Sequence, residues 1–163
     1  LPDWILPVRE TCAILMLPFL QQNRPSMTVI TLKEAEDFYN NSFSPWIKAL
    51  DISFTAIGRD SATLRIPASP NINRLGGMMC GQAIMALADT AMVFAVAASA
   101  GSFVNMTSVN MQTTFLRPME GGELFADARV IKSGRRLVYG DVNMHAGDPD
   151  KPVTHVTTSV MLL

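Results

Sequence analysis

The chain has 163 residues, enough for one domain with a sizeable core, and 48% of them are hydrophobic against 17% charged. Its formal net charge of -1 argues against binding to nucleic acid through bulk charge, although a small basic patch could still hold a phosphorylated ligand. The two cysteines, Cys12 and Cys80, are too few and too far apart for a disulfide framework or a zinc site, so we expect a reducing, cytoplasmic environment.

The first segment, residues 1–30, is expected to be an N-terminal extension that is either not native or disordered. Its one apolar run is short for a targeting segment and is broken by Pro18. Of the two interpretations, a weak targeting segment or an extension upstream of a natural start at Met27, we favour the second. Residues 31–163 are then expected to form a single domain.

The next predicted element is helical in part and covers residues 31–49. Thr31 and Glu34 have the spacing of a capping box, and Pro45 is expected to end one helical piece or begin a second. Two short segments then alternate apolar and polar residues around a turn, which predicts a β-hairpin. The strands of this hairpin are Ile52–Ile57 and Ala62–Ile66.

The centre of the chain, residues 71–101, is a Gly-rich turn followed by one long helix of mainly Ala, Met, Leu and Val. Because Asp89 interrupts the apolar run and Ala is only weakly lipophilic, we expect a buried core helix rather than a membrane span. Asp89 is the only charged residue between Arg74 and Arg117. A lone carboxylate is costly to bury unless it is paired or functional, so Asp89 is the candidate centre of function.

After the helix the hydrophobic pattern changes to period two, which predicts four strands joined by short turns. These strands are Phe103–Leu116, Leu124–Ile131, Leu137–His145 and Val153–Leu163. Short turns imply antiparallel neighbours, and a helix that is apolar on all sides needs cover on most of them. The predicted fold class is therefore α+β, with an antiparallel sheet curved around one central helix.

Short motifs stand at defined places in this order of elements. They are Asn73-Arg74-Leu75-Gly76 before the helix, Leu87-Ala88-Asp89-Thr90-Ala91 within it, and Ser108-Val109-Asn110-Met111 and Phe115-Leu116-Arg117-Pro118 in the next strand. Together with that order they resemble the hotdog fold, and within it the PaaI-like acyl-CoA thioesterases, over roughly residues 50–163. The family usually has His-Gly-Gly where this chain has Met79-Cys80-Gly81-Gln82. The histidine is absent, which leaves the backbone donor at the helix start open between Cys80 and Gly81.

The resemblance implies hydrolysis of coenzyme A thioesters, without a metal or other cofactor. By analogy it gives Asp89 the role of general base or nucleophile and the Gly81 amide that of oxyanion donor. Ser108 would hold the attacking water or the carboxylate, and Asn73 would lie beside the thioester. Each residue also has a structural alternative: a capping aspartate, a tight turn, a polar strand residue and a turn asparagine.

The spacing of Gly81 and Asp89 along the helix limits how they could act together. They are eight residues apart, so about 12 Å separates them along a helix axis. One helix could hardly bring both to the same carbonyl, but two antiparallel helices from two chains could. The resemblance implies that arrangement, so we predict an obligate homodimer with two composite sites, paired into a dimer of dimers. We expect neither nucleic acid nor a membrane as a partner.

The chemical properties of several side chains make them candidates for binding the substrate. The guanidinium groups of Arg117, Arg135 and Arg136 suit coenzyme A phosphates, although the last two could simply be solvated in a turn. Gln82 could take the place of the missing histidine. Cys80, at a helix N-terminus, is a small buried hydrophobe or a nucleophile. The acyl pocket is expected to be lined by some of four methionines, Met78, Met79, Met85 and Met92.

Thioester hydrolysis is thus the main hypothesis. The first alternative is a hotdog protein that binds acyl-CoA without hydrolysing it, which the missing histidine favours. The second is a dehydratase or hydratase, whose sites generally pair a histidine with an acid. That alternative is weaker, since neither His145 nor His155 falls on the helix or on the turn before it.

Overall fold

A computed structural model describes residues 29–163, so the expectations for the N-terminal segment up to residue 28 and for Cys12 lie outside the described part of the chain. The helices are α1 (Leu32–Ser42), α2 (Pro45–Lys48) and α3 (Gly81–Ala100). The strands are β1 (Ser53–Ile57), β2 (Ser61–Ile66), β3 (Met106–Phe115), β4 (Leu124–Ser133), β5 (Leu137–His145) and β6 (Thr154–Leu162).

The six strands form one antiparallel sheet in the order β1-β2-β4-β5-β6-β3. The sheet curves around α3, which packs mainly against β2, β4 and β5. We call the face toward α3 the inner face and the opposite one the outer face. Strand β3 lies at one edge, next to β6, although β6 is the last strand in the chain. The predicted α+β hotdog architecture is confirmed.

Helix α3 is the core of the domain. Twelve of its residues are buried, among them Leu87, Met92 and Phe94, because the sheet covers most of its surface. Gly101 ends the helix with φ of 72°, a left-handed conformation that glycine adopts without steric cost. By length and composition α3 could also cross a membrane, but 72% of the relevant window is buried within the domain, as in a core helix.

Helix α1 has the predicted capping box. The Glu34 N–H donates to the Thr31 hydroxyl at 3.2 Å, and the Thr31 N–H donates back to the Glu34 carboxylate at 2.7 Å. The Glu34 carboxylate accepts hydrogen bonds from both the N–H and the hydroxyl of Thr31, which hold the pKa of Glu34 below its ordinary value. Pro45 occupies the first turn of α2, so it begins a second helical piece as one of the two expectations had it.

Strand β3 begins three residues later than the predicted strand, because Phe103 belongs to an aromatic cluster rather than to the sheet. The Phe103 ring stacks on Phe38 of α1 with centroids 4.1 Å apart and planes 6° apart. That contact joins residues distant in sequence, so local alternation cannot reveal it. Strand β3 is also bulged between Ser108 and Asn110, where two of its residues oppose one of β6.

Candidate active site

The turn before α3 is shaped by two glycines. Gly76 and Gly77 have φ values of 94° and 80°, in the region that favours glycine. The turn is closed by a hydrogen bond from the Arg74 N–H to the Met78 carbonyl at 2.8 Å. Asn73 and Met79 then form an isolated β-bridge. The turn thereby fixes the residues that lead into the helix.

The hydrogen bonds at the helix start distinguish the two candidate backbone donors. The Cys80 N–H donates to the Ile72 carbonyl at 2.8 Å. The Gly81 N–H meets no backbone acceptor within residues 29–163, as is usual in the first turn of a helix. The N-terminal end of the helix dipole favours negative charge at this place. The geometry therefore leaves the Gly81 amide, and not that of Cys80, available to an incoming oxyanion.

A cavity of about 460 Å³ opens at this helix start. Its lining includes Gly81, Met79 and Phe115 together with two cations, Arg74 and Arg117. A Cβ atom at position 81 would lie 3.1 Å from the Phe115 ring, so glycine keeps this side of the cavity open. The cavity joins a helix N-terminus to the end of β3, where a polar group could approach the free amide.

The two arginines of the cavity are both exposed. The Arg117 guanidinium donates to the Pro152 carbonyl, and the Arg74 guanidinium lies 3.2 Å from the Met78 sulfur. Neither makes an ion pair with a carboxylate of residues 29–163. Arg74 was not among the predicted phosphate ligands, although its place in the motif before the helix could have indicated it.

The central aspartate is paired with the predicted serine. The Ser108 hydroxyl donates to Asp89 Oδ1 at 2.7 Å. Asp89 is half-buried, and its Oδ2 atom has no hydrogen-bond partner among residues 29–163. Ser108 stands at the bulge of β3, the kind of irregularity that redirects side chains beside active sites. The arrangement holds a carboxylate in place through an uncharged donor and leaves one oxygen available.

Strand β3 carries this pair at an open edge of the sheet. Within the described part of the chain β3 pairs only with β6, so its other side presents unpaired backbone groups. Three large apolar side chains at or just after this strand, Val109, Phe115 and Leu116, are exposed. An open strand edge with exposed apolar residues is suited to pairing with another chain.

The single chain does not bring Gly81 and Asp89 to one point. Gly81 lines the cavity beside Phe115, whereas Asp89 meets Ser108 two helical turns further on. Eight residues of helix separate them by about 12 Å along the axis. The two halves of the predicted chemistry therefore lie at different places on one subunit.

The other predicted residues are more scattered. Asn73 is half-buried in the bridge to Met79, and Cys80 caps α3 without a side-chain hydrogen bond. Gln82 is exposed in the first turn of α3. Arg135 and Arg136 are exposed in the turn between β4 and β5 and do not line the cavity.

The expected methionine lining divides in two. Met78 and Met79 line the cavity at the helix start. Met92 is fully buried and packs where a side chain at Gly140 of β5 would otherwise stand. Met92 is thus a core residue, because its helical position faces the middle of the sheet.

The outer face of the sheet carries a separate polar cluster. Because Gly140 meets α3, its neighbour Asp141 points to the outer face. Asp141 accepts two hydrogen bonds from Arg129, at 2.7 and 3.1 Å, and lies 3.3 Å from the His155 ring. His145 lies 2.9 Å from Asp127 in the same way. The histidines thus pair with acids on the side away from Asp89, which does not favour a hydratase site around α3.

The pKa of Asp141 reports this pairing. Burial by itself would raise it, but the hydrogen bonds and charges of Arg129 and His155 outweigh burial and lower it. The neighbouring Arg129 guanidinium holds the Asp141 carboxylate in its charged form. Asp141 therefore contributes to the stability of the fold and is poorly suited to accept a proton in catalysis.

The fold and the site define a hotdog domain with a carboxylate at an open edge. Among solved structures, a thioesterase of Haemophilus influenzae shares this fold at a TM-score of 0.74, with 20% identity over 84% of this chain and 93% of that one. The PaaI protein of Escherichia coli, from its phenylacetic acid degradation operon, matches at 0.70, with 21% identity over 80% and 91%.

Sequence comparison adds similarity to thioesterases and esterases. Residues 76–153 match the thioesterase superfamily. An inferred esterase of Thermoplasma acidophilum is 29% identical over 102 residues, which are 60% of this chain and 73% of that protein. The resemblance of the chain to the PaaI-like hotdog thioesterases is therefore confirmed. These matches support a hydrolase that acts on thioesters.

Proposed function

We propose that the protein hydrolyses acyl-CoA thioesters to the free acid and coenzyme A, at sites formed between two subunits in the cytoplasm. The observation that carries the proposal is the Asp89–Ser108 pair at the open edge of the sheet. Asp89 lies on the same helix as the Gly81 amide, which has no backbone acceptor within residues 29–163, but the two are too far apart to act on one carbonyl.

Asp89 is suited to activate water. With Oδ1 held by Ser108, the open Oδ2 accepts a proton from a water molecule as that water attacks the thioester carbonyl carbon. The carbonyl oxygen becomes an oxyanion, which the Gly81 amide of the other subunit and its helix dipole stabilise. The carbon–sulfur bond then breaks, and the proton on Asp89 goes to the departing thiolate. Direct attack by the carboxylate, giving an anhydride, is the alternative for the same residue.

A dimer through β3 would supply the second half of the site. Antiparallel pairing of two β3 edges would satisfy their backbone groups and cover Val109, Phe115 and Leu116. It would also set two α3 helices side by side in opposite directions, so that Gly81 of one faces Asp89 of the other. We propose this homodimer, further paired into a tetramer, as the working form.

Coenzyme A would enter from the side of the cavity. Arg74 and Arg117 lie there as cations suited to its phosphates, without a carboxylate partner in residues 29–163. Arg135 and Arg136, which do not line the cavity, remain candidates. Gln82, exposed in the first turn of α3, would bind near the thioester where the family histidine is missing. Asn73 would border the same place.

The alternative is a protein that binds acyl-CoA without hydrolysing it. One observation favours it: no histidine stands at the helix start, where this chain has Met79-Cys80-Gly81-Gln82. Tight binding of acyl-CoA with no release of thiol would support this alternative.

The experiment is free-thiol release from short, medium, long and aromatic acyl-CoAs, with Asp89→Asn in parallel. We expect the wild type to turn over at least one substrate and Asp89→Asn to lose about 10²- to 10⁴-fold in rate. Asp150→Asn, in the exposed turn before β6, is the matched control and should keep its rate. Full activity in Asp89→Asn would overturn the mechanism, and the absence of turnover in the wild type would overturn the enzyme.

A further inference from the structure

We propose that the acyl group of the substrate occupies a second, apolar pocket between α1, α3 and β3, and that Phe43 limits the size of the acyl group. This inference rests on the proposed function. The pocket has a volume of about 290 Å³. Five apolar residues line it, Phe38, Phe43, Val93, Val104 and Met106, together with the uncharged polar residues Ser42, Ser44 and Asn105. We call it the Phe43 pocket.

The Phe43 pocket adjoins the catalytic pair along both elements that carry it. Val93 follows Asp89 by four residues on α3, so it lies on the same helical face about 6 Å further along the axis. Met106 precedes Ser108 by two residues on β3 and points to the same side of the strand. The 2.7 Å hydrogen bond between Ser108 and Asp89 ties α3 to β3 next to Val93 and Met106. A carbonyl attacked at Asp89 therefore lies one helical turn from this pocket.

The two pockets differ in the charge of their lining residues, which indicates which end of the substrate each pocket would bind. The cavity at the helix start includes Arg74 and Arg117 in its lining. No charged residue of the described part of the chain lines the Phe43 pocket. A coenzyme A thioester has a phosphate-bearing end and an acyl end that meet at the carbonyl. Cations suit the phosphates, and an uncharged apolar pocket suits the acyl group.

The wall of the Phe43 pocket is firmly supported. The Phe43 ring stacks on Phe94 with centroids 5.7 Å apart and planes 18° apart, and Phe94 is fully buried in α3. Phe38 packs edge-on to Phe43 at 6.3 Å and is itself stacked on Phe103. Close-packed aromatic rings yield little to an oversized group. Phe43 should therefore act as a fixed end wall.

The volume of the pocket indicates the class of acyl group. An apolar cavity of about 150 Å³ is enough to bind benzene, so a pocket of this size takes one ring or a chain of up to about eight carbons. We infer that the substrates carry compact acyl groups and that a long fatty acyl chain would meet Phe43.

Reciprocal substitutions test the pocket with acetyl-, hexanoyl-, dodecanoyl- and benzoyl-CoA. Phe43→Ala should raise the ratio of kcat/KM for dodecanoyl over hexanoyl about tenfold or more, because the end wall is removed. Val93→Phe should lower the ratio of kcat/KM for hexanoyl-CoA over acetyl-CoA about tenfold, because the larger side chain fills the pocket. Trp46→Ala is the control: this aromatic side chain on α2 is 62% exposed, does not line the pocket and should leave the profile unchanged.

A binding measurement separates this inference from the proposed function. S-alkyl-CoA thioethers cannot be hydrolysed, so the dependence of their Kd on chain length in wild type and variants is independent of turnover. The pocket assignment would be wrong if the wild type turns over acyl-CoA and a folded Val93→Phe variant shows the same dependence on acyl-chain length. The proposed function would stand in that case. Circular dichroism establishes folding, and Val93→Phe carries the test by itself if Phe43→Ala does not fold.

Discussion

Asp89 and Asp141 are both aspartates within a few ångströms of polar side chains, but they lie on opposite sides of the sheet in different surroundings. The Asp141 side chain is 11% exposed and receives two hydrogen bonds from a guanidinium. Asp89 receives one, from a hydroxyl, beside a strand without an outer neighbour in residues 29–163. The guanidinium holds the Asp141 carboxylate in its charged form. The Asp89 carboxylate is bound by one neutral hydroxyl, and its other oxygen has no partner among residues 29–163.

The largest effect is expected for variants that test whether each site combines Asp89 of one subunit with Gly81 of another. Asp89→Asn and Gly81→Leu should each be inactive, the first without a base and the second with its cavity blocked beside Phe115. In a mixed dimer one of two sites keeps both native residues. Random mixing should therefore restore about a quarter of the wild-type rate.

Complementation is measured by thiol release after joint refolding or co-expression of the two variants. Each variant mixed with itself is the control. Mixtures as inactive as their parents, with dimers present by light scattering, would show that each site lies within one subunit.

A smaller effect is expected at the partner of Asp89. Ser108→Ala removes the hydroxyl that holds Oδ1 and should lower kcat about tenfold, since the base remains but is less well oriented. Thr107→Ala, an exposed neighbour on β3, is the matched control. The pH profile of kcat should also change in Ser108→Ala, which a purely structural serine would not cause. An unaltered rate and profile would reduce Ser108 to a surface residue.

The smallest effect concerns the outer face. Asp141→Asn should leave the rate intact but lower the free energy of unfolding by about 1–2 kcal/mol, because Arg129 loses a partner that is mostly buried. Since pairing lowers the pKa of Asp141 in the folded state, this contribution is present above the ordinary carboxyl pKa. It is lost as the pH falls through the lowered value.

Urea denaturation at pH 6 and at about pH 3 measures this contribution. The free energies of unfolding of wild type and Asp141→Asn should differ most at the higher pH and less at the lower one. A loss of turnover with unchanged stability would reverse the assignment of the two faces.

Residue patterns in the sequence are sufficient to predict the order of helices and strands. The change from helical to alternating periodicity gave the order of elements, and Thr31 with Glu34 gave the cap of α1. The isolation of Asp89 in an apolar helix indicates the catalytic candidate without any knowledge of its contacts. These features are local, because periodicity, capping and charge isolation are properties of neighbouring residues.

Contacts between distant residues were decided only by the tertiary structure. The bulge of β3 delivers Ser108 to Asp89, and the Ile72 carbonyl takes the Cys80 amide and leaves that of Gly81. Likewise, Phe43, which follows α1, lines one pocket together with Val93 of α3 and Met106 of β3. Register, the choice of hydrogen-bond partner and the meeting of α1 with β3 depend on how the sheet curves around α3. The sequence by itself therefore determined the elements and the lone carboxylate, and packing decided which residues surround it.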